Sequence, residues 1–311
     1  MIILGAGISG LIAANIFQNA QVVEASPREK MVGHKALLRF RSTAVADAVG
    51  IDFRKVKVHK GLWSDGRFVQ PSILHANQYS QKVLGGALAD RSVWNLDAVD
   101  RYIAPEDFVD QLVERCEGRI SWSTDASEFV HKATHDETVP QPIISTIPMG
   151  AMAKMLGFGH IPLFPRAEIQ VRRWRLNNAD VHQTVYVSDP ATRCYRVSIT
   201  GDLLIAEYMM PAIEGLPFGQ DDFDPFEPFG MRGQFHEPLE TVKQSYGKIK
   251  PIEERWRRSF ILNCSNDHGI FSLGRFGTWR NILLDDVVHD IAVIKRLIAE
   301  DAYGRSRHSA K

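Results

Sequence analysis

The fold is decided by the first residues of the chain, which read Met1-Ile2-Ile3-Leu4-Gly5-Ala6-Gly7-Ile8-Ser9-Gly10 and lead through a helical stretch to Val22-Val23-Glu24. Ile2–Leu4 has the apolar character of a short buried strand, and residues 9–17 carry the small and apolar side chains of a helix that packs on a sheet. The β-branched pair before Glu24 indicates a second strand that ends at a Ser-Pro break. This strand–turn–helix–strand order predicts an α/β fold.

The glycines of the first turn have the GxGxxG spacing of dinucleotide-binding proteins. In such a turn Gly5 permits the sharp change of direction, and Gly7 lets the backbone approach a pyrophosphate. Gly10 lets the helix pack closely on the strand. The spacing alone is a weak signal, but a buried strand precedes it, a helix follows it, and an acid ends the next strand.

The start of the helix and the end of the second strand supply the remaining groups of a nucleotide site. The helix N-terminus presents free N–H groups, at Ile8 and Ser9, and a partial positive charge to phosphates. Glu24, followed by Ala25, stands where an acid accepts hydrogen bonds from ribose hydroxyls and repels the 2′-phosphate of NADP. The first residues therefore predict the ADP-binding half of a dinucleotide site.

A second motif near the C-terminus reads Gly274-Arg275-Phe276-Gly277-Thr278-Trp279-Arg280 and precedes a helix that we expect Asp285 to cap. This segment resembles the UDP-galactopyranose mutase and flavin amine oxidase group of enzymes, and the resemblance implies that the cofactor is FAD. It also implies that the turn at Gly274 and the helix start, at Asp285, Asp286 and Val287, lie against the flavin. Arg275 would then favour the anionic reduced ring.

Three other segments extend the resemblance to the start and middle of the chain. Val32-Gly33-His34 stands where the mutases carry Gly-Gly-His beside the flavin, with Val32 in place of the first glycine. Residues 144–148 read STIP after an isoleucine, as in the same group. Tyr195-Arg196-Val197 resembles a Tyr-Arg pair whose arginine contacts the substrate diphosphate. The similarity leaves long stretches unmatched, and the chain is shorter than a typical mutase.

The resemblance predicts a Rossmann-like FAD-binding domain of the glutathione-reductase type with an inserted, mixed α/β substrate domain. We assign residues 1–35, 105–165 and 255–311 to the FAD-binding domain. Residues 36–104 and 166–254 form the substrate domain, where the pattern is rich in β-strands from 169 to 208.

The candidate catalytic residues are His34, Arg196 and Arg275, for an enzyme with chemistry at flavin N5. A mutase-like reaction would act on a small-molecule or nucleotide-linked anionic substrate, whereas an amine-oxidase-type enzyme would abstract hydride. Each residue also has a structural alternative: a loop histidine, a surface strand arginine, and an arginine that ties its loop to carbonyl groups. A protein that holds FAD without catalysis is a further alternative.

A third functional alternative is modification of a nucleic-acid base. Arg172, Arg173 and Arg175 surround Trp174, and an aromatic among cations is typical of nucleic-acid surfaces. The competing interpretation is a solvated strand face.

Two local patterns yield further expectations. Strict alternation along the strand at Tyr195–Ile199 would place Arg196 with Ser198 on one face and Tyr195 with Val197 and Ile199 on an apolar face. Residues 218–229 are acidic, contain phenylalanines and are broken by prolines. This composition is typical of a surface loop, with a lid over the active site as the alternative.

The composition excludes several classes of protein. Lysine and arginine total 37, as do aspartate and glutamate, so no global field attracts nucleic acid or membrane. The three cysteines form no CxxC pair, which fits a reducing compartment, and no metal-ligand pattern is present. Apolar runs are too short for a membrane span, and Met1 leads straight into a strand without a signal sequence. We therefore expect a cytoplasmic protein, and no feature of the sequence points to an oligomeric state.

Overall fold

The computed structural model describes residues 1–31, 38–86, 92–135, 141–210, 223–231 and 237–308. The chain folds into two compact units. The first unit contains Met1–Lys55, Tyr102–Phe164 and Pro251–Lys311, and the second contains Val56–Arg101 and Pro165–Lys250.

Strands and helices of the described residues alternate along much of the chain, and a run of successive strands lies between residues 166 and 249. The strands are β1 (Ile2–Leu4), β2 (Gln21–Val23), β3 (Arg39–Phe40), β4 (Arg54–Ser64), β5 (Arg67–Phe68), β6 (Val99–Ile103), β7 (Ile120–Ser121), β8 (Ile143–Ser145), β9 (Arg166–Arg175), β10 (Val181–Val187), β11 (Cys194–Gly201), β12 (Leu203–Met209), β13 (Glu240–Ile249) and β14 (Ile270–Ser272). The helices are α1 (Ile8–Ile16), α2 (Ala44–Val49), α3 (Ile73–Leu84), α4 (Phe108–Glu114), α5 (Ser127–His135), α6 (Met149–Met155), α7 (Glu254–His268), α8 (Gly274–Gly277) and α9 (Leu284–His308).

The first unit is built on a sheet of five strands in the order β14-β8-β1-β2-β7. All four neighbouring pairs are parallel, and β1 lies at the centre with Ile3 opposite Val22 and Ile144. Apolar residues of α1, α4 and α9 bury the sheet in one core, to which Leu11, Leu112 and Ile291 belong. The parallel sheet places the carboxyl ends of β1 and β2, and the turns that follow them, along one edge.

Residues 39–55, which the sequence analysis placed in the substrate domain, pack in the core of the first unit instead. Phe40, Val45 and Ile51 are buried against this core, and Phe40 stacks on Phe53 with ring centroids 4.7 Å apart. The apolar face of α2 explains this placement, because α2 has its contacts with α1 and α9.

The second unit is built on a mixed sheet whose strands follow the order β13-β9-β12-β11-β10-β4. Neighbours are antiparallel except for β10 and β4, which are parallel. Each face of the sheet has its own core. Trp174 and Val197 belong to one of these cores, and Tyr195 and Val171 belong to the other, where Tyr79 of α3 packs.

The described part of the acidic segment, from Phe223 onward, packs on the second unit. Phe226 is buried, and its ring lies 5.5 Å from that of Trp174 in a T-shaped contact. Residues 218–222 lie outside the described residues. From Phe223 onward the segment is therefore anchored by aromatic packing, unlike the poorly ordered surface loop that its composition suggested.

Within the described ranges, no helix is both long enough and apolar enough to cross a membrane. The same residues contain no cluster of three or more His, Cys, Asp or Glu side chains that could hold a metal ion.

Candidate functional site

The turn between β1 and α1 is as tight as its glycines predicted. Gly5 adopts a φ of +97°, a region that side chains disfavour, and its N–H donates to the Val23 carbonyl at 2.8 Å. A Cβ at Gly10 would lie 2.0 Å from the carbonyl oxygen of Gly5. Both glycines are therefore required by the packing of the turn itself.

Gly7 differs, because nothing among the described residues requires a glycine there. Its φ of −62° and ψ of 167° are open to any residue, and a Cβ would have no described atom within 4 Å. Gly7 is the N-cap of α1, where no side chain caps the helix and no acid lies in the first turn. Open space thus lies in front of helix N–H groups that have no intrahelical partner.

Glu24 directly follows β2, and the backbone holds its side chain. Its two carboxylate oxygens accept hydrogen bonds from the N–H of Ala6 at 2.6 Å and of Ser26 at 2.8 Å. The carboxylate therefore braces the glycine turn, and each oxygen keeps a second lone pair for a ligand hydroxyl. Ala25 is exposed beside it.

The two sequence motifs meet in a cavity of about 390 Å³ in the first unit. Gly7, Ile8 and Ser9 line it from α1, and Gly274 and Arg275 line it from α8. A Cβ at Gly274 would lie 2.7 Å from Oγ of Ser9, so the two turns touch through this glycine. Residues more than 260 positions apart in sequence thus line one cavity.

The acids at the start of α9 have different roles from the predicted one. Asp285 does not cap its helix, since it lies in the first turn and accepts the N–H of Ser42 at 2.9 Å and the hydroxyl of Ser42 at 2.7 Å. Asp286 accepts the N–H of Leu283 at 2.8 Å and so caps the helix start from its first turn. Asp285 and Val287 line the cavity. The predicted site residues that are not among its described lining are Gly5, Gly10, Glu24, Ala25 and Asp286.

Further lining residues were not predicted as site residues from the sequence. Leu38, Arg39 and Phe40 come from β3 and the residue before it, and Thr146 follows β8. The Thr146 hydroxyl donates to the carbonyl of Leu4 at 3.0 Å, so it closes the end of β1. The STIP segment around Thr146 was the one pointer to this position.

Gly33 and His34, the other predicted flavin contacts, lie outside the described residues. Their assignment to the site stays a prediction.

Arg196 lies in the second unit, where it forms an ion pair with Glu207 through its Nε. The Tyr195 hydroxyl donates to the other oxygen of Glu207 at 2.9 Å, and the ammonium of Lys248 lies 4.5 Å from the centroid of the Tyr195 ring. The Arg196 side chain keeps 33% of its surface exposed, against 11% for Glu207. The carboxylate is therefore the buried partner.

The alternation expected along this strand is wrong at Tyr195. The register of β11 against β12 shifts between Cys194 and Arg196, so Tyr195 is the extra residue of a β-bulge. Tyr195 consequently packs on the face that α3 covers, while Val197 packs on the opposite face. Ser198, expected to share an open face with Arg196, is buried.

Glu207 stays ionised because its neighbours outweigh its burial. Burial disfavours the charged carboxylate, but the charge and hydrogen bond of Arg196, with Lys248 and the Tyr195 hydroxyl, hold its pKa at about 2 instead of 4.5. Burial and the adjacent Glu207 charge both raise the pKa of Tyr195, so its hydroxyl remains a proton donor.

A pH dependence follows from this lowered pKa. A folded pKa below the unfolded value stabilises the protein above about pH 4.5, and this contribution is lost as the pH falls toward 2. We expect on the order of 2–3 kcal/mol of unfolding free energy to disappear across this range. Urea denaturation at several pH values should show that Glu207→Gln flattens the decline. An equally steep decline in the variant would contradict the assignment.

The arginine–tryptophan run of β9 is engaged within the second unit. Arg173 pairs with Glu240 and Arg175 with Asp202, each at 2.6 Å. The guanidinium of Arg172 stacks over Tyr208 at 4.7 Å, and Trp174 is buried. Trp174 is therefore not exposed on the strand surface, where the nucleic-acid alternative would place it.

Comparison with solved structures identifies proteins that share this architecture. The chain is similar to a crystal structure of reduced UDP-galactopyranose mutase, with a TM-score of 0.65 and 14% identity, over 96% of this chain and 93% of that chain. The chain therefore shares the fold of this mutase. A candidate FAD-containing monooxygenase of Photorhabdus luminescens gives a TM-score of 0.53 at 10% identity, over 97% and 88% of the two chains. A Pyrococcus furiosus protein gives 0.57 at 11%, over 93% and 95%.

These likenesses confirm the predicted fold class, α/β with a Rossmann-like parallel sheet and a second, mixed part. No family model and no curated protein matches the sequence. At 10–14% identity the similarity concerns the fold.

Proposed function

We propose that the chain binds FAD in the cavity between Gly7 and Gly274 and is an FAD-dependent enzyme. Gly7 carries this proposal: it has an unstrained backbone, open space at its Cβ position, and uncapped helix N–H groups beside it. Among the described residues, neither packing nor a strained backbone conformation requires a glycine at that position. A phosphate group that must approach the backbone does.

The surrounding residues fit the rest of the cofactor. The N–H groups at the start of α1 would hold the pyrophosphate, and the braced carboxylate of Glu24 would accept the ribose hydroxyls. Arg275 and Val287, on the other wall of the same cavity, would lie toward the flavin. His34 keeps its proposed place beside the ring on the strength of the sequence resemblance.

Bound FAD supplies either two-electron redox chemistry or a nucleophilic nitrogen at N5. We favour a mutase-like reaction on a nucleotide-linked anionic substrate, because a UDP-galactopyranose mutase shares the fold over 96% of this chain with a TM-score of 0.65. Arg196 is our candidate for the substrate anion. Glu207 holds its Nε, and its two terminal nitrogens donate to no described residue, so their planar pair of donors remains available to a phosphate.

The second candidate is an amine-oxidase-type or other redox flavoenzyme, which the likeness to a candidate monooxygenase favours. These two candidate functions can be distinguished by adding substrates to the oxidised and to the reduced protein. A mutase-like enzyme interconverts nucleotide-sugar isomers only when prereduced with dithionite and shows no net change in flavin absorbance. An oxidase instead loses oxidised-flavin absorbance when it meets an amine without oxygen.

Arg275→Ala should lower the flavin midpoint potential by about 30 mV or more. A cation near the ring stabilises its anionic reduced form, and 30 mV corresponds to ~1.4 kcal/mol for a two-electron couple. Spectroelectrochemical titration measures the change, and Arg275→Lys, which keeps the charge, is the matched control. Equal potentials in the wild type and Arg275→Ala, at full FAD content, would assign the arginine a structural role.

A further inference from the structure

Two successive side chains of β11 converge on one acid of β12. The β-bulge places Tyr195 and Arg196 on the same face of the sheet, the face that α3 covers. Both side chains reach Glu207, which lies opposite Arg196 in the ladder between the two strands. Strict alternation would send the two side chains to opposite faces, so the bulge is what allows one carboxylate to contact both.

The Glu207 carboxylate is fixed on the side away from Arg196. Tyr195 is fully buried, and its hydroxyl donates to Oε1 of Glu207 at 2.9 Å. Glu207 is only 8% exposed, and the charge of Lys248 helps Arg196 to keep its pKa low. Arg196 therefore meets an ionised carboxylate whose position is set by the packing of the second unit.

Glu207 engages Arg196 at Nε, which limits the ways in which the arginine can bind a ligand. A guanidinium can bind an anion through Nε and one terminal nitrogen, or through its two terminal nitrogens. The carboxylate already accepts the Nε–H, whereas the terminal nitrogens donate to no described residue. Because a third of the Arg196 side chain is exposed, the second way remains open.

The charge of Glu207 opposes the binding of an anion at Arg196, because like charges repel. Its benefit to binding is orientation, since an arginine that is already held at Nε loses less side-chain freedom when a ligand binds. We propose that Glu207 is a positioning residue, which fixes Arg196 so that its two terminal nitrogens bind a phosphate group of the substrate. This inference rests on the proposed function, in which Arg196 contacts the substrate anion.

Calorimetric titration of the FAD-loaded protein with UDP, a nucleoside diphosphate, tests this role in variants that separate orientation from charge. Glu207→Met removes the acceptor and should weaken UDP binding about tenfold, although the variant has one negative charge fewer. Glu207→Gln removes the same charge but keeps the contacts. Its amide oxygen can accept from Nε of Arg196, and its amide nitrogen can donate to the Tyr195 oxygen. This variant should bind UDP at least as tightly as the wild type.

Two further variants complete the series, and circular dichroism checks that each protein is folded. Asp202→Asn removes an exposed acid that pairs with Arg175, and it should leave the UDP affinity unchanged. Tyr195→Phe releases one oxygen of Glu207 and should weaken UDP binding about threefold. If Glu207→Met does not fold, Tyr195→Phe decides the question, and an unchanged affinity in that variant overturns the inference.

The inference is also overturned if folded Glu207→Met binds UDP as tightly as the wild type or more tightly, as charge alone predicts. The same conclusion follows if Glu207→Gln loses as much affinity as Glu207→Met. Absence of UDP binding to the FAD-loaded wild type would overturn it while leaving the FAD-dependent enzyme intact. Conversely, the expected pattern in a protein that binds no FAD would support the positioning of Arg196 and contradict the flavin proposal.

Discussion

Gly7→Val is expected to abolish FAD binding while the protein remains folded. The backbone at Gly7 is extended, which valine adopts readily, and its Cβ would meet no described atom within 4 Å. The side chain would instead fill the space in which a pyrophosphate meets the start of α1. Losing about two charge-assisted hydrogen bonds costs ~3–6 kcal/mol, which corresponds to a weakening of about 10²- to 10⁴-fold.

Fluorescence titration of the apoprotein with FAD measures this loss, and circular dichroism reports the fold. Gly159→Val is the matched control, because Gly159 is also exposed, has open space at its Cβ position and belongs to the same unit. It should bind FAD normally. Gly10→Ala should behave in the opposite way to Gly7→Val and destabilise the fold itself, since its Cβ would collide with a backbone oxygen. Normal FAD affinity in folded Gly7→Val would place the cofactor elsewhere.

Arg196→Met should lower the free energy of unfolding by about 3 kcal/mol. The substitution leaves the buried Glu207 carboxylate without the cation that keeps it ionised. Breaking a buried ion pair costs ~3–5 kcal/mol, and the lower end applies because a third of the Arg196 side chain is exposed. Urea denaturation at neutral pH measures the loss. Arg196→Met combined with Glu207→Gln should recover most of it, because the amide needs no counter-charge.

Arg175→Met is the control for this experiment. Its pair with Asp202 has side-chain exposures of 55% and 39%, so its removal should cost less than about 1 kcal/mol. If both arginine variants cost the same, the Arg196–Glu207 pair contributes no more than a surface contact.

The first unit could be predicted from sequence because its decisive signals are local. Gly5, Gly10 and Glu24 lie within one strand–turn–helix–strand segment. Their spacing predicts the tight turn between β1 and α1 that the structure shows. The turn at Gly274 carried a motif of its own. That both turns line one cavity follows from the parallel sheet, which brings their strand ends to the same edge.

What the sequence did not reveal depends on partners distant in the chain. The sequence alone does not show which of Asp285 and Asp286 caps the helix. Asp286 does so because the Asp285 carboxylate accepts hydrogen bonds from Ser42 instead. The bulge at Tyr195 depends on the register of β12, which alternation alone does not contain. Trp174 resembled a surface residue among arginines, yet Phe226 covers it from more than 50 residues away.

Identification of the cofactor in the purified protein tests the flavin proposal most directly. The protein should be yellow, and denaturation should release FAD, identified by mass spectrometry, at one molecule per chain and without a covalent link. A colourless protein that is folded by circular dichroism and binds no added FAD would contradict the proposal.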